Sequence, residues 1–272
     1  MGYFTDKVCV VTGAASGIGE AIVRELAREG ARVVVADINE LAAKRVVDSL
    51  RGKGCDAVSK RVDVTQRQQV DALVEEVVAQ YGRIDLMVNN AGIVVVSEME
   101  DTLDEDWDRL VDVNIKGVAY GLRAAFQRMK KQGFGQILNT ASSSGLAPTP
   151  LFTAYSATKH AVVGLSTASR IEGAAYGIKI SALCPGVVNT PVVKSNVSRG
   201  LDRNVVEKGT PTMMTPESCA KAALKGLKKN KAIIPVGIDG YLPYLANRFV
   251  PGIYSAVLER GFGLLRKRVK QG

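Results

Sequence analysis

The sequence predicts an α/β protein with a doubly wound parallel sheet. Short β-branched runs alternate with longer amphipathic stretches, and a glycine-rich turn directly follows the first run. Repeated strand and helix require right-handed crossovers, which cover both faces of a parallel sheet with helices. No repeat or linker composition marks a second domain. We therefore expect a single Rossmann-type domain, with residues 1–236 as its body and 237–272 as a C-terminal extension.

The predicted elements follow this alternation along the chain. The strands are Lys7–Val11, Arg32–Ala36, Ala57–Val62, Ile84–Val88, Gln136–Asn139, Lys179–Leu183 and, after the last helix, Lys231–Val236. The helices are Gly17–Glu29, Glu40–Arg51, Gln66–Tyr81, Asp104–Lys131, Ala154–Tyr176 and Pro216–Lys229. Gly30 and Gly82 lie where helices commonly end.

Composition narrows the class of protein. The 272 residues, 46% of them apolar, can bury a sizeable core within one domain. No run approaches the about 18 consecutive apolar residues that span a bilayer, and Met1–Lys7 lacks the apolar stretch of a signal peptide. A cytoplasmic protein is expected. The cysteines lack metal-ligand spacing and are predicted to be reduced, with no metal site; they are Cys9, Cys55, Cys184 and Cys219.

The positive charge is concentrated at the C-terminus. Residues 221–272 hold eleven Lys/Arg against Asp239 and Glu259, so this segment alone accounts for the net charge of +9. A basic tail on a neutral body favours an anionic surface partner, and we expect no nucleic acid.

The tail also has an amphipathic pattern. Apolar residues recur at three- or four-residue intervals beside basic ones, at Tyr254, Leu258, Phe262, Leu265 and Val269 and at Arg260, Arg266, Lys267, Arg268 and Lys270. Such a segment can lie peripherally in a membrane interface. Alternatively, the apolar stripe packs on the body or on a second subunit. Gly261 and Gly263 weaken the helix, and Pro243 and Pro251 interrupt what precedes it.

The glycine-rich turn is a candidate phosphate site. It comprises Thr12 to Gly19 between a buried strand and an amphipathic helix, and its proposed cofactor contacts are Gly13, Ser16, Gly17, Ile18 and Gly19. Glycines let the backbone approach a pyrophosphate closely, and the helix N-terminus stabilises negative charge. A turn without a ligand is the alternative.

The second strand ends near an acidic residue, Asp37, which lies 18 residues after Gly19. A carboxylate there can accept hydrogen bonds from an adenosine ribose and repels a 2′-phosphate. Ser16 and Ile38 supply no compensating positive charge, so NAD is favoured over NADP. The alternative is that Asp37, with Asn39, only caps the next helix.

A tyrosine and a lysine lie four residues apart on one helical face, at Tyr155 and Lys159. A free tyrosine has a pKa of about 10. A fixed ammonium beside the phenol favours the phenolate, which would lower that pKa toward the range of a general base. Taken alone, such a pair is more often a surface contact.

Several motifs occur together and in order: Thr12 to Gly19, Asp63-Val64, Asn89 to Gly92, Val113 to Gly117, Asn139 to Ser142, Tyr155 with Lys159, and Pro185-Gly186. This set resembles the classical short-chain dehydrogenase/reductase family over roughly residues 5–235. The resemblance implies an NAD-dependent oxidoreductase that transfers a hydride between the nicotinamide and an alcohol or carbonyl carbon.

The resemblance also implies residue roles. The catalytic set is Asn114, Ser142, Tyr155 and Lys159. Tyr155 would exchange the proton, Ser142 would hold the substrate oxygen, Lys159 would bind the nicotinamide ribose, and Asn114 would hold a water that links Lys159 to solvent. The further cofactor contacts are Asp63, Val64, Asn90, Ala91, Gly92, Pro185, Gly186, Val188 and Thr190. Ser143 is an alternative to Ser142, and His160 and Trp107 are interpreted as structural.

Apolar residues near the expected pocket favour a lipophilic small-molecule substrate. The segment Pro191–Thr215 matches the family's substrate lid and carries Val192, Val193, Val197, Leu201, Met213 and Met214, while Ile93–Val96 adds four more apolar residues. Packing of the lid on the body is the alternative.

Beyond Val236 the family's usual Val-Asp-Gly-Gly ending is replaced by Gly237–Tyr241. The tail is more similar to those of retinol-, hydroxysteroid- and other lipid-directed members. A homodimer is expected, with a homotetramer as the alternative. Two other functions are alternatives. A cofactor-binding sensor without turnover is disfavoured by the intact Ser142, Tyr155 and Lys159, and an extended relative that modifies nucleotide sugars is disfavoured because this chain lacks its glycine spacing and its longer substrate domain.

Overall fold

The fold is a parallel sheet between two layers of helices, as the sequence predicts. The computed structural model describes residues 2–190, 197–200 and 214–269, without the side chains of 265 and 267–269. The described strands are β1 Val8–Thr12, β2 Arg32–Asp37, β3 Ala57–Arg61, β4 Leu86–Asn89, β5 Val95–Ser97, β6 Gly135–Thr140, β7 Ile178–Pro185, β8 Val197–Arg199 and β9 Ile233–Val236. The main sheet has the order β3-β2-β1-β4-β6-β7-β9, and all of its pairs are parallel.

The described helices cover both faces of this sheet. They are α1 Gly17–Arg28, α2 Glu40–Arg51, α3 Arg67–Tyr81, α4 Asp104–Leu110, α5 Gly117–Gln132, α6 Thr153–Ala174, α7 Pro216–Lys228, α8 Ile238–Phe249 and α9 Pro251–Val269. One core cluster joins α1, α2 and α7 to the sheet, with Ile22 and Leu26 at its centre. Another joins α3 and α5 to the opposite face through Leu73 and Met129. Burial on both faces explains why the central strand β1 is almost continuously apolar, whereas β3 at the edge of the sheet carries Ser59, Lys60 and Arg61.

Local signals explain where several helices begin and end. The side chain of Asn39 accepts a hydrogen bond from Ala42 N at the start of α2, and Thr215 caps α7 in the same way. Gly82 and Gly133 follow α3 and α5 with φ of 75° and 77°, in the left-handed region that glycine adopts without strain.

The long predicted helix Asp104–Lys131 is continuous, but it is not a regular α-helix throughout. A π-helical turn, Val111–Lys116, separates α4 from α5. The apolar residues of the predicted helix still recur at the spacing of one helical face. The sequence pattern therefore did not reveal the extra residue that the π-helical turn contains. Such insertions often lie at functional sites because they redirect one side chain.

A second, two-stranded parallel sheet was not predicted. In it β5 pairs with β8, which belongs to the expected lid segment. Arg199 of β8 makes a two-point ion pair with the buried carboxylate of Asp106, with N···O distances of 3.0 and 3.2 Å. The remaining lid positions of the prediction, Val192, Val193, Leu201 and Met213, lie outside the described residues.

The C-terminal extension forms two helices that pack beside the body. Pro243 lies inside α8, and α9 continues through Gly261 and Gly263, so the expected interruption at Pro243 is wrong. The expected interruption at Pro251 is present, because α8 ends at Phe249 and α9 begins at Pro251. Asn247 donates a hydrogen bond to Leu146 O at 3.0 Å. The predicted tail residues Leu265, Lys267, Arg268, Val269 and Lys270 are outside the described side chains. Across the described residues, no helix is both long enough and apolar enough to cross a membrane.

Candidate active site

A large cavity opens where the strand order reverses, between β1 and β4. In open parallel sheets this crevice, at the carboxyl ends of the strands, is the usual ligand site. The cavity has a volume of about 810 Å³ and runs from the glycine-rich turn to Tyr155. It therefore joins the two halves of the predicted site.

Most of the predicted site residues line this one cavity: Gly13, Ser16, Gly17, Ile18, Asp37, Asp63, Val64, Asn90, Ala91, Gly92, Ser142, Tyr155, Lys159, Pro185, Gly186, Val188 and Thr190. Gly19 and Asn114 lie behind the lining. His160 is exposed and contacts Ser156 O, and Trp107 packs beside Leu110.

The glycine-rich turn requires glycine for two reasons. Gly13 and Gly17 have positive φ, 60° and 57°. A Cβ at Gly19 would lie 2.2 Å from Gly13 O, inside the turn itself. These glycines keep the backbone close around the N-terminus of α1, which leaves room for a phosphate in the cavity.

Asp37 lies at the end of β2, beside this turn. One carboxylate oxygen accepts a hydrogen bond from Ala15 N and the other from Asn39 N, both at 2.9 Å. The cap of α2 is Asn39 and not Asp37. The carboxylate therefore orients the glycine-rich turn and remains in the cavity wall beside Ser16 and Ile38.

Asn90 links the ends of neighbouring strands. Its amide donates to Thr12 O and Gly13 O, each at 3.1 Å, and its carbonyl oxygen accepts from Thr140 Oγ1 at 3.3 Å. Asp63 closes a separate loop, where it accepts hydrogen bonds from the backbone and hydroxyl of Thr65. Both side chains hold backbone around the cavity.

Tyr155 and Lys159 lie on α6 at the other end of the cavity. Lys159 is almost fully buried and donates to Thr140 O at 2.9 Å, with Nζ 5.5 Å from the centre of the Tyr155 ring. Ser142 hydrogen-bonds Tyr155 and also accepts from Ser144 N at 3.2 Å. Hydroxyl, phenol and ammonium thus meet in one pocket.

Burial controls the acidity of this group more than the neighbouring charges do. Burial raises the pKa of Tyr155 to about 12, although its hydrogen bond with Ser142 acts in the opposite direction. Burial also lowers the pKa of Lys159 to about 8. The predicted lowering of the tyrosine pKa by Lys159 is therefore wrong for this arrangement, because desolvation of the phenol dominates and the influence that opposes it comes from Ser142.

Asn114 lies in the π-helical turn and is fully buried. Its carbonyl oxygen accepts from Ile93 N, and its amide donates to Ile93 O and to Thr158 Oγ1, over 2.9 to 3.1 Å. A Cβ at Gly92 would lie 3.3 Å from Asn114 Oδ1 and 3.4 Å from Lys159 Nζ. Asn114 therefore fixes the backbone at Gly92 and Ile93, and Gly92 lies between Asn114 and Lys159.

Asp239 is a site residue that sequence reasoning missed. It follows β9 and accepts a hydrogen bond from Val187 N at 2.6 Å. A Cβ at Gly186 would lie 2.3 Å from its carboxylate, so Gly186 is required there by packing. Asp239 is more than fifty residues from Pro185-Gly186 in the sequence. The one sequence feature that could have pointed to it is the segment Gly237–Tyr241, which contains Asp239 and replaces the family's usual ending.

Other cavity residues were also not predicted: Arg109, Val113, Pro148, Pro150, Phe152, Pro243, Tyr254 and Leu258. Tyr254 and Leu258 come from α9. Two apolar residues of the tail stripe therefore face the cavity, which agrees with the alternative that the stripe packs on the body.

The chain matches known proteins along most of its length. Residues 7–200 match the family model for short chain dehydrogenase. The chain belongs to the short-chain dehydrogenase family. It is 42% identical over 260 residues to an uncharacterized oxidoreductase of Bacillus subtilis (strain 168), covering 94% of this chain and 98% of that protein. The chain is thus an oxidoreductase of this family.

Two solved structures are similar in fold and sequence. A short-chain dehydrogenase/reductase of Burkholderia phymatum, in complex with NAD, has a TM-score of 0.77 and 29% identity, covering 86% of this chain and 90% of its own. A 3-ketoacyl-(acyl-carrier-protein) reductase of Brucella melitensis, complexed with NADH, has a TM-score of 0.76 and 30% identity, covering 88% and 98%.

Proposed function

We propose that the chain transfers a hydride between NAD(H) and the hydroxyl-bearing or carbonyl carbon of a lipophilic small molecule. One observation carries this proposal: Ser142, Tyr155 and Lys159 line the same continuous cavity as the glycine-rich turn and Asp37. A sensor without turnover would need only the part of this cavity that is lined by the glycine-rich turn and Asp37.

The residues present fit a nicotinamide dinucleotide. The glycine-rich turn and the N-terminus of α1 would hold the pyrophosphate. The backbone of this turn is tightly packed, because a side chain at Gly13 would collide with Ala91. Asp37 would accept the adenosine ribose hydroxyls, with Asp63 and Val64 beside the adenine. Pro185 to Thr190 would position the carboxamide. The bound cofactor would supply or accept the hydride.

The chain's own residues would handle the proton and the charge. In ketone reduction Tyr155 donates its proton to the substrate oxygen, because its raised pKa keeps the phenol protonated at neutral pH. Ser142 holds that oxygen through its hydroxyl. The Lys159 ammonium stabilises the phenolate that forms, and Asn114 would connect Lys159 to a water. Alcohol oxidation runs the same proton transfer in reverse.

Apolar walls support a lipophilic substrate. Ile93, Val94, Pro148, Pro150 and Leu258 line the cavity together with Phe152, on the side of the catalytic hydroxyls. The proposal includes the expected similarity of the tail to those of retinol-, hydroxysteroid- and lipid-directed members. The contribution of α9 to the cavity wall supports it.

Peripheral membrane association through the tail is a further part of the proposal. The outer face of α9 exposes Ile253, Val257 and Leu264, and Phe249 is exposed just before it. Basic residues of the tail would lie near anionic headgroups. Arg266 instead reaches the body, where it pairs with Glu98 at 3.1 Å. We also propose that the chain forms a homodimer, with a homotetramer as the alternative.

Replacing the proton donor tests the proposed chemistry. Tyr155→Phe keeps the ring and removes the hydroxyl, so turnover should fall by about 10²- to 10⁴-fold. NAD binding, measured by fluorescence titration, should persist. Tyr176→Phe, at a tyrosine on the body surface, is the matched control and should leave turnover unchanged. Retention of more than about a tenth of wild-type turnover by Tyr155→Phe would contradict the mechanism.

The pH dependence should report Lys159. Below its lowered pKa of about 8 the ammonium is charged, and the charge is lost as pH rises through that value. The phenol of Tyr155 keeps its proton over the same range. We expect kcat/KM for ketone reduction to be constant below pH 8 and to fall above it. A flat profile, with circular dichroism showing an intact fold, would exclude this role of Lys159.

Cofactor preference should follow the charge of Asp37. NAD should be preferred over NADP by at least about tenfold in kcat/KM, or about 1.4 kcal/mol. Asp37→Asn removes the charge but retains an acceptor for Ala15 N, so it should narrow the gap. Asp37→Ala should also narrow it and additionally loosen the turn. Asp48→Asn, at an exposed carboxylate near the end of α2, should leave the preference unchanged. Equal efficiency of the wild type with both cofactors would refute the assignment.

Vesicle binding tests the membrane part. The full chain should co-sediment with vesicles containing anionic lipid at low salt and much less with neutral ones, because headgroup charge attracts the basic tail. Replacing Ile253 and Val257 together by Ser should reduce binding. Absence of binding at low salt, or binding unchanged by deletion of residues 253–272, would dismiss membrane association.

A further inference from the structure

A second cavity lies beside the first, between α9 and the loop before α6. It has a volume of about 370 Å³, within the range of small-molecule sites. The loop contributes Pro148 to Pro150, and the start of α6 contributes Thr153 and Ser156. The third wall is α9, through Ser255, Leu258, Glu259 and Phe262.

The two cavities adjoin each other and share part of their walls. Pro148, Thr149, Pro150 and Leu258 line both of them. Along α6 the neighbours Tyr155 and Ser156 face the first and the second cavity respectively. Along α9, Tyr254 lines the first cavity, Leu258 lies at the junction, and Phe262 lines the second. The eight residue steps from Tyr254 to Phe262 span about 12 Å of helix.

Hydrogen bonds and ion pairs hold α9 in place along this groove. The Tyr254 hydroxyl donates to Pro148 O at 3.4 Å, on the wall that the cavities share. Farther along the helix, Arg266 pairs with Glu98 at 3.1 Å and with Glu100 at 3.5 Å. Contacts with the body therefore hold α9 in place at both ends of the wall that it contributes to the two cavities.

The lining of the second cavity suits an apolar chain. Pro148, Pro150, Leu258 and Phe262 supply its large surfaces, and its hydroxyl-bearing residues are small. Glu259 is the charged member of the lining, and it is exposed at the rim. The lining contains no basic residue that would pair with an anionic group buried at its centre, which favours hydrocarbon over an anionic group.

We propose that the second cavity is a subsite for the distal chain of an elongated apolar alcohol or ketone whose reacting carbon lies beside Tyr155. The proposal rests on the proposed function and adds the shape of the substrate to it. Helix α9, which the rest of the catalytic machinery does not need, becomes the element that selects substrates by length.

A series of secondary alcohols of increasing length tests this subsite in the full chain with NAD. For 2-butanol, 2-octanol and 2-dodecanol, kcat/KM should rise with length, by up to about fourfold for each methylene that becomes buried, equivalent to about 0.8 kcal/mol. Phe262→Ala should lower the ratio of kcat/KM for 2-dodecanol over 2-butanol by at least about tenfold. Ile171→Ala, at a residue of α6 that is 78% exposed and lines neither cavity, should leave that ratio unchanged.

The outcomes separate this inference from the proposed function. Equal kcat/KM for all three alcohols, or an equal effect of the Phe262 and Ile171 variants, would overturn the subsite while leaving the reaction intact. Failure to oxidise any alcohol would count against the proposed function. In that case thermal unfolding with 2-dodecanone decides for the subsite alone: an increase in Tm that Phe262→Ala abolishes supports it, and an equal increase in both proteins refutes it.

Discussion

The side chain of Asn90 is the contact on which the site depends. It ties the carboxyl ends of β1 and β6 to the end of β4, at the point where the strand order reverses. Thr140, which donates to Asn90, also presents the carbonyl that receives the Lys159 ammonium. One polar chain therefore runs from the glycine-rich turn to the catalytic lysine. A parallel sheet alone would leave these strand ends unconnected.

Sequence reasoning succeeded where a feature is local. Buried β-branched runs marked the strands, and Tyr155 with Lys159 needed only helical spacing to share a face. It failed where distant segments meet: Asp239 beneath Gly186, and Tyr254 and Leu258 in the cavity wall, depend on how the tail folds back. The paired strands β5 and β8 were missed because three residues carry almost no periodicity.

The acidity of the catalytic pair shows the same division. Spacing correctly placed an ammonium near a phenol, but the sign of the pKa change depends on how much water reaches each group. Tyr155 and Lys159 are both desolvated, so burial favours the neutral form of each. The pair is thus arranged as proton donor and supporting cation, a property that appears only when the cavity walls are assembled.

The π-helical turn at Val111–Lys116 sets the angular phase between α4 and α5. Each residue of an α-helix advances the chain by about 100°, so removing one residue here would rotate α4 by that angle relative to α5. Asp106 on α4 would turn away from Arg199, and Asn114 would leave Ile93. The turn therefore lets one continuous helical rod hold the β8 strand through α4 while Asn114, within the turn itself, holds the backbone beside Lys159.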